Sequence, residues 1–219
     1  PKSLENSPLL IFFHGGYWRA LDKKDFTFVT SSFLQEGIAV ANVNYDLCPE
    51  VKMDELVEEI VSTFNFCRKK VDEWGVKEIY LVGHSAGAHL VAELLRRGFH
   101  PDEKPNEEVK GAILLTGIYE PEVALNLEVN KEIQLDSETA SKCNVMREPP
   151  HSNCPVIICA GANEPEGWID QSKRYLELCE SKGIGATFKL VEDAHHFSLL
   201  DHASDEKHSL FKLITNFCH

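Results

Sequence analysis

Ile79-Tyr80-Leu81-Val82-Gly83-His84-Ser85-Ala86-Gly87-Ala88-His89-Leu90 is the stretch on which the fold of this chain turns. Its first four residues are apolar throughout, the pattern of a strand covered on both faces. From Ala86 onward the pattern becomes helical. Between the two lies Gly-x-Ser-x-Gly, the signature of a strand that turns sharply into a helix and lifts a serine hydroxyl above the sheet. The residue types follow from the mechanics. A turn this tight strains the backbone of Ser85, and Gly83 and Gly87 carry no Cβ to keep neighbouring backbone away. The Ser85 hydroxyl then sits at a helix N-terminus, where the Ala86 N–H and the helix dipole favour a developing oxyanion. A plain glycine-rich turn would share the glycines, but the strand before it and the helix after it favour a nucleophile.

Outward from this turn the apolar period switches repeatedly. Runs of strand length occur at Leu9–Phe13, Ile38–Val43, Ile79–Val82, Ala112–Leu115, Val156–Cys159 and Ala186–Val191. Longer segments near Lys24–Gln35, Met53–Trp74, Ala88–Arg97, Ile169–Lys182 and Ser204–Phe217 read as helices. Gly37, Gly75, Gly98 and Gly183 each follow a helical stretch, as helix-terminating glycines do. The alternation predicts an α/β fold: a mostly parallel sheet with helices on both faces, in a single domain over residues 1–219. Residues 119–150 mix acidic residues, Asn and Pro with weak apolar spacing, and about thirty residues are too many for a plain loop. They are expected to form an irregular, partly helical excursion over the strand ends, a candidate lid or cap.

Composition narrows the class. With 43% hydrophobic and 26% charged residues the chain is ordinary globular protein, not a disordered chain, a collagen or a coiled coil. Its apolar runs fall short of the roughly 20 residues of a membrane helix. A formal charge of −13 disfavours nucleic acid and anionic membranes, leaving a small molecule as the expected partner. The seven cysteines form no Cys-x-x-Cys and several lie in apolar runs, which fits reduced thiols and a cytoplasmic location. Pro1–Pro8 has no initiating Met and no apolar signal segment. A homodimer is compatible with all of this.

Three further places supply chemistry. His14-Gly15-Gly16-Tyr17-Trp18 follows the first strand directly, and its paired glycines suit a loop whose N–H groups complete an oxyanion hole. His14 would order that loop, while Tyr17 and Trp18 either line a pocket or cap the core. A general base is expected after the last strand, where His195 and His196 stand, with Phe197 to pack the loop down. An orienting acid should come between serine and histidine, after the strand Val156–Cys159, where Glu164 is the candidate and Asp170 and Asp193 are the alternatives. The order Ser85, Glu164, His196 is that of α/β hydrolases. Asp193, His195 and His196 do not have the spacing of a metal site, so neither metal nor cofactor is expected.

These residues carry a resemblance. His14-Gly15-Gly16-Tyr17-Trp18 together with Gly83-His84-Ser85-Ala86-Gly87-Ala88-His89-Leu90 resembles the kynurenine formamidases (arylformamidases) of the α/β-hydrolase superfamily. Asn44-Tyr45-Asp46-Leu47-Cys48-Pro49, Gln171-Ser172 and His196-Phe197 also fall where that family has similar segments. The resemblance implies Ser85 as nucleophile, His196 as base, and backbone N–H groups of Gly15, Gly16 and Ala86 as oxyanion donors. It places Glu164 where the family usually has Asp. It also implies that two strands found before the first strand of such proteins are absent from this sheet. The implied substrate is N-formyl-L-kynurenine, an intermediate of tryptophan breakdown, with Trp18, Tyr45 or Phe197 beside its ring. Arg19 and the 119–150 excursion are candidates for its amino-acid head. Two other readings stay open: a broad carboxylesterase of the hormone-sensitive-lipase type, and a hydrolase-fold binding protein without catalysis.

Overall fold

The computed structural model describes residues 4–98 and 109–219. The expected span of one domain over 1–219 therefore includes residues 1–3 and 99–108, which lie outside the described residues. Six strands form one sheet: β1 (Pro8–Phe13), β2 (Ala39–Val43), β3 (Glu78–His84), β4 (Val109–Leu115), β5 (Val156–Gly161) and β6 (Ala186–Val191). Their order is β2-β1-β3-β4-β5-β6, and every neighbouring pair is parallel. All six predicted strands are present, and all of their C-terminal ends meet along one edge.

Why the central strands read as continuous apolar runs is plain from their two faces. Alternate residues of a strand point to opposite sides. Leu9, Ile11, Phe13, Ile79, Leu81, Ala112 and Leu114 join one buried cluster. Leu10, Phe12, Tyr80, Val82, Ile113 and Leu115 join the other. The outer strand β6 departs from this, with Thr187 and Lys189 exposed.

The helices cover both faces, as expected, with local corrections to their bounds. α1 (Thr27–Gln35) is preceded by a 3-10 turn whose start the Asp22 carboxylate caps by accepting the Lys24 N–H at 2.9 Å. The segment read as one helix over Met53–Trp74 breaks at Lys70 into α2 (Met53–Lys69) and α3 (Val71–Trp74). α4 (Ala86–Arg97) begins directly at the serine turn. The 119–150 segment contains a 3-10 turn at Pro121–Asn126, α5 (Asn130–Ile133) and α6 (Ser137–Lys142). It buries Tyr119, Ala124, Ile133, Leu135, Ala140 and Cys143 in the same cluster as α2 and α4. α7 (Glu166–Ser181) follows β5. The last predicted helix is α9 (Ser209–Cys218), which starts later than expected because His208 caps it, its Nδ1 accepting the Leu210 N–H at 3.0 Å; a short helix before it, α8 (Ser198–Ser204), was not expected. Gly37, Gly75, Gly98 and Gly183 all have positive φ, matching their expected role as helix stops.

All seven cysteines are unpaired and buried. Among the described residues no helix is long and apolar enough to cross a membrane.

Candidate active site

Ser85 sits at the β3–α4 junction with φ 55° and ψ −117°, a conformation that side chains rarely adopt. The close packing that demands glycine here is direct. A Cβ on Gly87 would lie 2.0 Å from the Phe13 carbonyl oxygen. The Ser85 N–H donates to the Leu115 carbonyl at 2.9 Å, tying the turn to the end of β4. The loop after β1 packs onto the same point, since a Cβ on Gly15 would lie 2.7 Å from His84 Nδ1 and 3.1 Å from Ser85 Cβ. His14 orders that loop as expected. It is stacked between Phe26 and Tyr45, and its Nδ1 lies 2.7 Å from the Gly15 carbonyl oxygen.

The Ser85 hydroxyl donates to His196 Nε2 at 2.9 Å, and His196 Nδ1–H donates to Glu164 Oε2 at 3.1 Å. The three predicted side chains therefore form one hydrogen-bonded chain, from the ends of β3, β6 and β5. His195 points away and is exposed; its Nδ1 accepts the N–H groups of Phe197 and Ser198 at the start of α8. The alternatives to Glu164 lie elsewhere: Asp170 pairs with Arg174 at 2.8 Å on α7, and Asp193 is exposed.

Glu164 is buried, and both carboxylate oxygens are held. Oε1 accepts the Gly161 N–H at 2.9 Å, and Oε2 accepts the Thr116 hydroxyl as well as His196. Burial alone would raise its pKa. The hydrogen bonds from His196, Thr116 and Gly161 outweigh burial and hold the carboxyl below its usual range. Glu164 is thus an anion beside the imidazole. Thr116, at the end of β4 with φ 46°, also lies 3.3 Å from His196 Nδ1. The sequence reading missed it. Its signal was faint: a lone hydroxyl directly after an apolar strand.

His84, inside the serine turn, was also missed. Its Nε2 lies 2.9 Å from the His196 carbonyl oxygen and anchors the base loop. Burial, and then the proximity of His196, push its pKa down to about 3, so it stays neutral.

A cavity of about 480 Å³ opens over Ser85 and His196. Tyr17, Trp168 and Phe197 line it, with the Trp168 ring centroid 4.7 Å from that of His196. Two expected wall residues are corrected. Trp18 is fully buried in the core, where its Nε1–H donates to His89 Nδ1 at 3.1 Å. His89 Nε2 in turn lies 2.8 Å from the Cys143 carbonyl oxygen, so the indole joins the β1 loop, α4 and the 119–150 segment. Tyr45 is buried against His14 and donates its hydroxyl to the His14 carbonyl at 2.6 Å. Both aromatics support the loop from behind instead of facing the cavity.

A hydroxyl bonded to an imidazole, a carboxylate behind it and glycine backbone beside it can perform acyl transfer to serine. Comparison with known proteins narrows the family. The family model described as BD-FAE matches residues 1–105. The fold is shared with esterase B of Lactobacillus rhamnosis, at TM-score 0.78 and 17% identity, over 97% of this chain and 75% of that one. The kynurenine formamidase of Drosophila melanogaster is 26% identical, over 98% of this chain and 74% of its own length. That of Danio rerio is 31% identical over 219 residues, 97% of this chain and 73% of the relative. Similarity of that degree along nearly the whole length, joined to the serine–imidazole–carboxylate chain, places this protein in the kynurenine formamidase family.

Proposed function

We propose that this protein is a serine hydrolase that cleaves the formamide C–N bond of N-formyl-L-kynurenine, giving L-kynurenine and formate in tryptophan breakdown. The observation that carries the reading is the unbroken hydrogen-bond chain Ser85–His196–Glu164, in a member of this family. His196 Nε2 takes the Ser85 proton as Oγ attacks the formyl carbon. The oxyanion is received by the N–H groups of Gly15, Gly16 and Ala86. His196 then gives the proton to the departing aniline nitrogen. Water, deprotonated by His196, then attacks the formyl-serine, and His196 returns that proton to Ser85 Oγ as formate leaves. Ionised Glu164 stabilises the imidazolium in both halves. The formyl group is small, which suits a hydroxyl packed tightly between Gly15 and the imidazole. Tyr17, Trp168 and Phe197 offer an apolar wall to the kynurenine ring. Seven unpaired thiols support a cytoplasmic location.

The test is turnover of N-formyl-L-kynurenine against a p-nitrophenyl ester. A higher kcat/KM on the formamide is expected, and a strong preference for the ester would replace this reading with a broad esterase. Ser85→Ala should reduce kcat about a million-fold, the scale of a triad serine elsewhere. His196→Ala should cost far more than His195→Ala. A fluorophosphonate should label Ser85, and failure to label would favour a non-catalytic binding protein.

A further inference from the structure

The wall of the cavity is mainly apolar and aromatic, with one exception. Among the described residues, Arg19 is the only lining side chain with a permanent positive charge. Its backbone is fixed, because the N–H groups of Arg19 and Ala20 both donate to the Gly16 carbonyl at 3.1 Å, and the Trp18 carbonyl accepts the Cys48 N–H at 2.7 Å. From this fixed base Arg19 Nη1 donates to Glu132 Oε2 at 2.8 Å. Glu132 lies on α5, so this pair links the 119–150 segment to the cavity's rim. Arg19 keeps a third of its side-chain surface exposed and Glu132 more than half, and an exposed pair of this kind adds little to folding. The guanidinium has five donors and spends one on Glu132; its Nε is buried with no partner among the described residues.

We infer that Arg19 and Glu132 together form a subsite for a zwitterionic α-amino-acid head, Arg19 taking the carboxylate and Glu132 the ammonium. The inference rests on the formamidase reading above and extends it to substrate selection. An α-amino acid carries both charges on one carbon, and an ion pair at a cavity mouth is the matching arrangement. The planar guanidinium fork can hold a carboxylate through two N–H groups while still donating to Glu132. Glu132 pairs with Arg19 through Oε2, so among the described residues its Oε1 remains to accept from an ammonium. A neutral aryl formamide would use the apolar wall and Ser85 but gain nothing from the pair. The ring is thereby sorted by shape and the head by charge.

Three substrates test this: N-formyl-L-kynurenine, its analogue lacking the α-amino group, and formanilide, which lacks the whole head. Arg19→Gln should raise KM about tenfold for the first two relative to its effect on formanilide, with kcat little changed. Glu132→Gln should raise KM for N-formyl-L-kynurenine alone. Equal effects on all three substrates, or none on the first, would overturn the subsite. A wild-type protein that hydrolyses formanilide and the deaminated analogue but not N-formyl-L-kynurenine would instead overturn the formamidase reading. The Arg19 arm would then still be read on the deaminated analogue.

Discussion

The loop after β3 and the loop after β5 each deliver one end of the same hydrogen-bond chain, yet they are built on different principles. Ser85 is held by its own backbone: a positive φ, a glycine two residues on, and a helix that starts at once. Glu164 is held by other people's groups, so to speak: a hydroxyl from β4, an N–H from Gly161 and an imidazole from beyond β6. The residue types of the first arrangement are written in five consecutive residues, and β1 and β4 then pack onto a turn that is already specified. The second is assembled only when the sheet forms. A locally built group should fail by unfolding, and a distantly built one by losing function in an intact fold.

The sharpest way to break the comparison is at the turn itself. Gly87→Ala puts a Cβ 2.0 Å from the Phe13 carbonyl oxygen and should abolish folded, soluble protein, a loss beyond about 4 kcal/mol. Circular dichroism and gel filtration would show it; a well-folded variant would refute the close approach of the serine turn to the end of β1. Glu164→Gln should leave the fold intact and lower kcat by about 10³–10⁴, the scale of an acid-to-amide change in a triad. A loss under tenfold would mean that position, not charge, is what Glu164 supplies.

Thr116→Val should be milder. Removing the hydroxyl leaves one carboxylate oxygen with a single donor, which should lower kcat about tenfold. Thr116→Ser should restore activity, since it keeps the hydroxyl. An unchanged Thr116→Val would show that Gly161 and His196 suffice.

The last expected effect is on stability at acid pH and leaves turnover aside. His84 has its pKa pushed down to about 3 in the fold, from an ordinary 6.5. The unfolded chain therefore binds the proton first, and His84's contribution is complete above 6.5. It is lost progressively as pH falls from 6.5 towards 3. Melting temperatures of wild type and His84→Gln across that range should converge on acidification, and a constant gap would refute the effect.

The same contrast explains what could be read from the sequence. All six strands and the elbow were legible because buried parallel strands and Gly-x-Ser-x-Gly are statements about neighbouring residues. His196 was legible because His195-His196 directly follows a strand. The helix break at Lys70 was not, since no proline or glycine marks it, and neither was α8, whose seven residues are too few to show a helical period. Trp18, open between pocket and core, and Tyr45, expected beside the ring, could not be placed for a related reason. An aromatic beside a glycine loop can face either way, and the partner that decides, His89 for Trp18 and His14 for Tyr45, is chosen by packing. Thr116 stayed hidden because its importance lies in Glu164, 48 positions away.

The unpaired cysteines have a consequence of their own. They are spread from the loop before α2 through β5 to α9, each sheltered, and burial pushes those at 143, 159, 179 and 218 up to about 12. A thiol so placed reacts with an alkylating reagent only when its own layer opens. The order in which the seven acquire label under native conditions would therefore chart how the molecule breathes, with no labelling site engineered in.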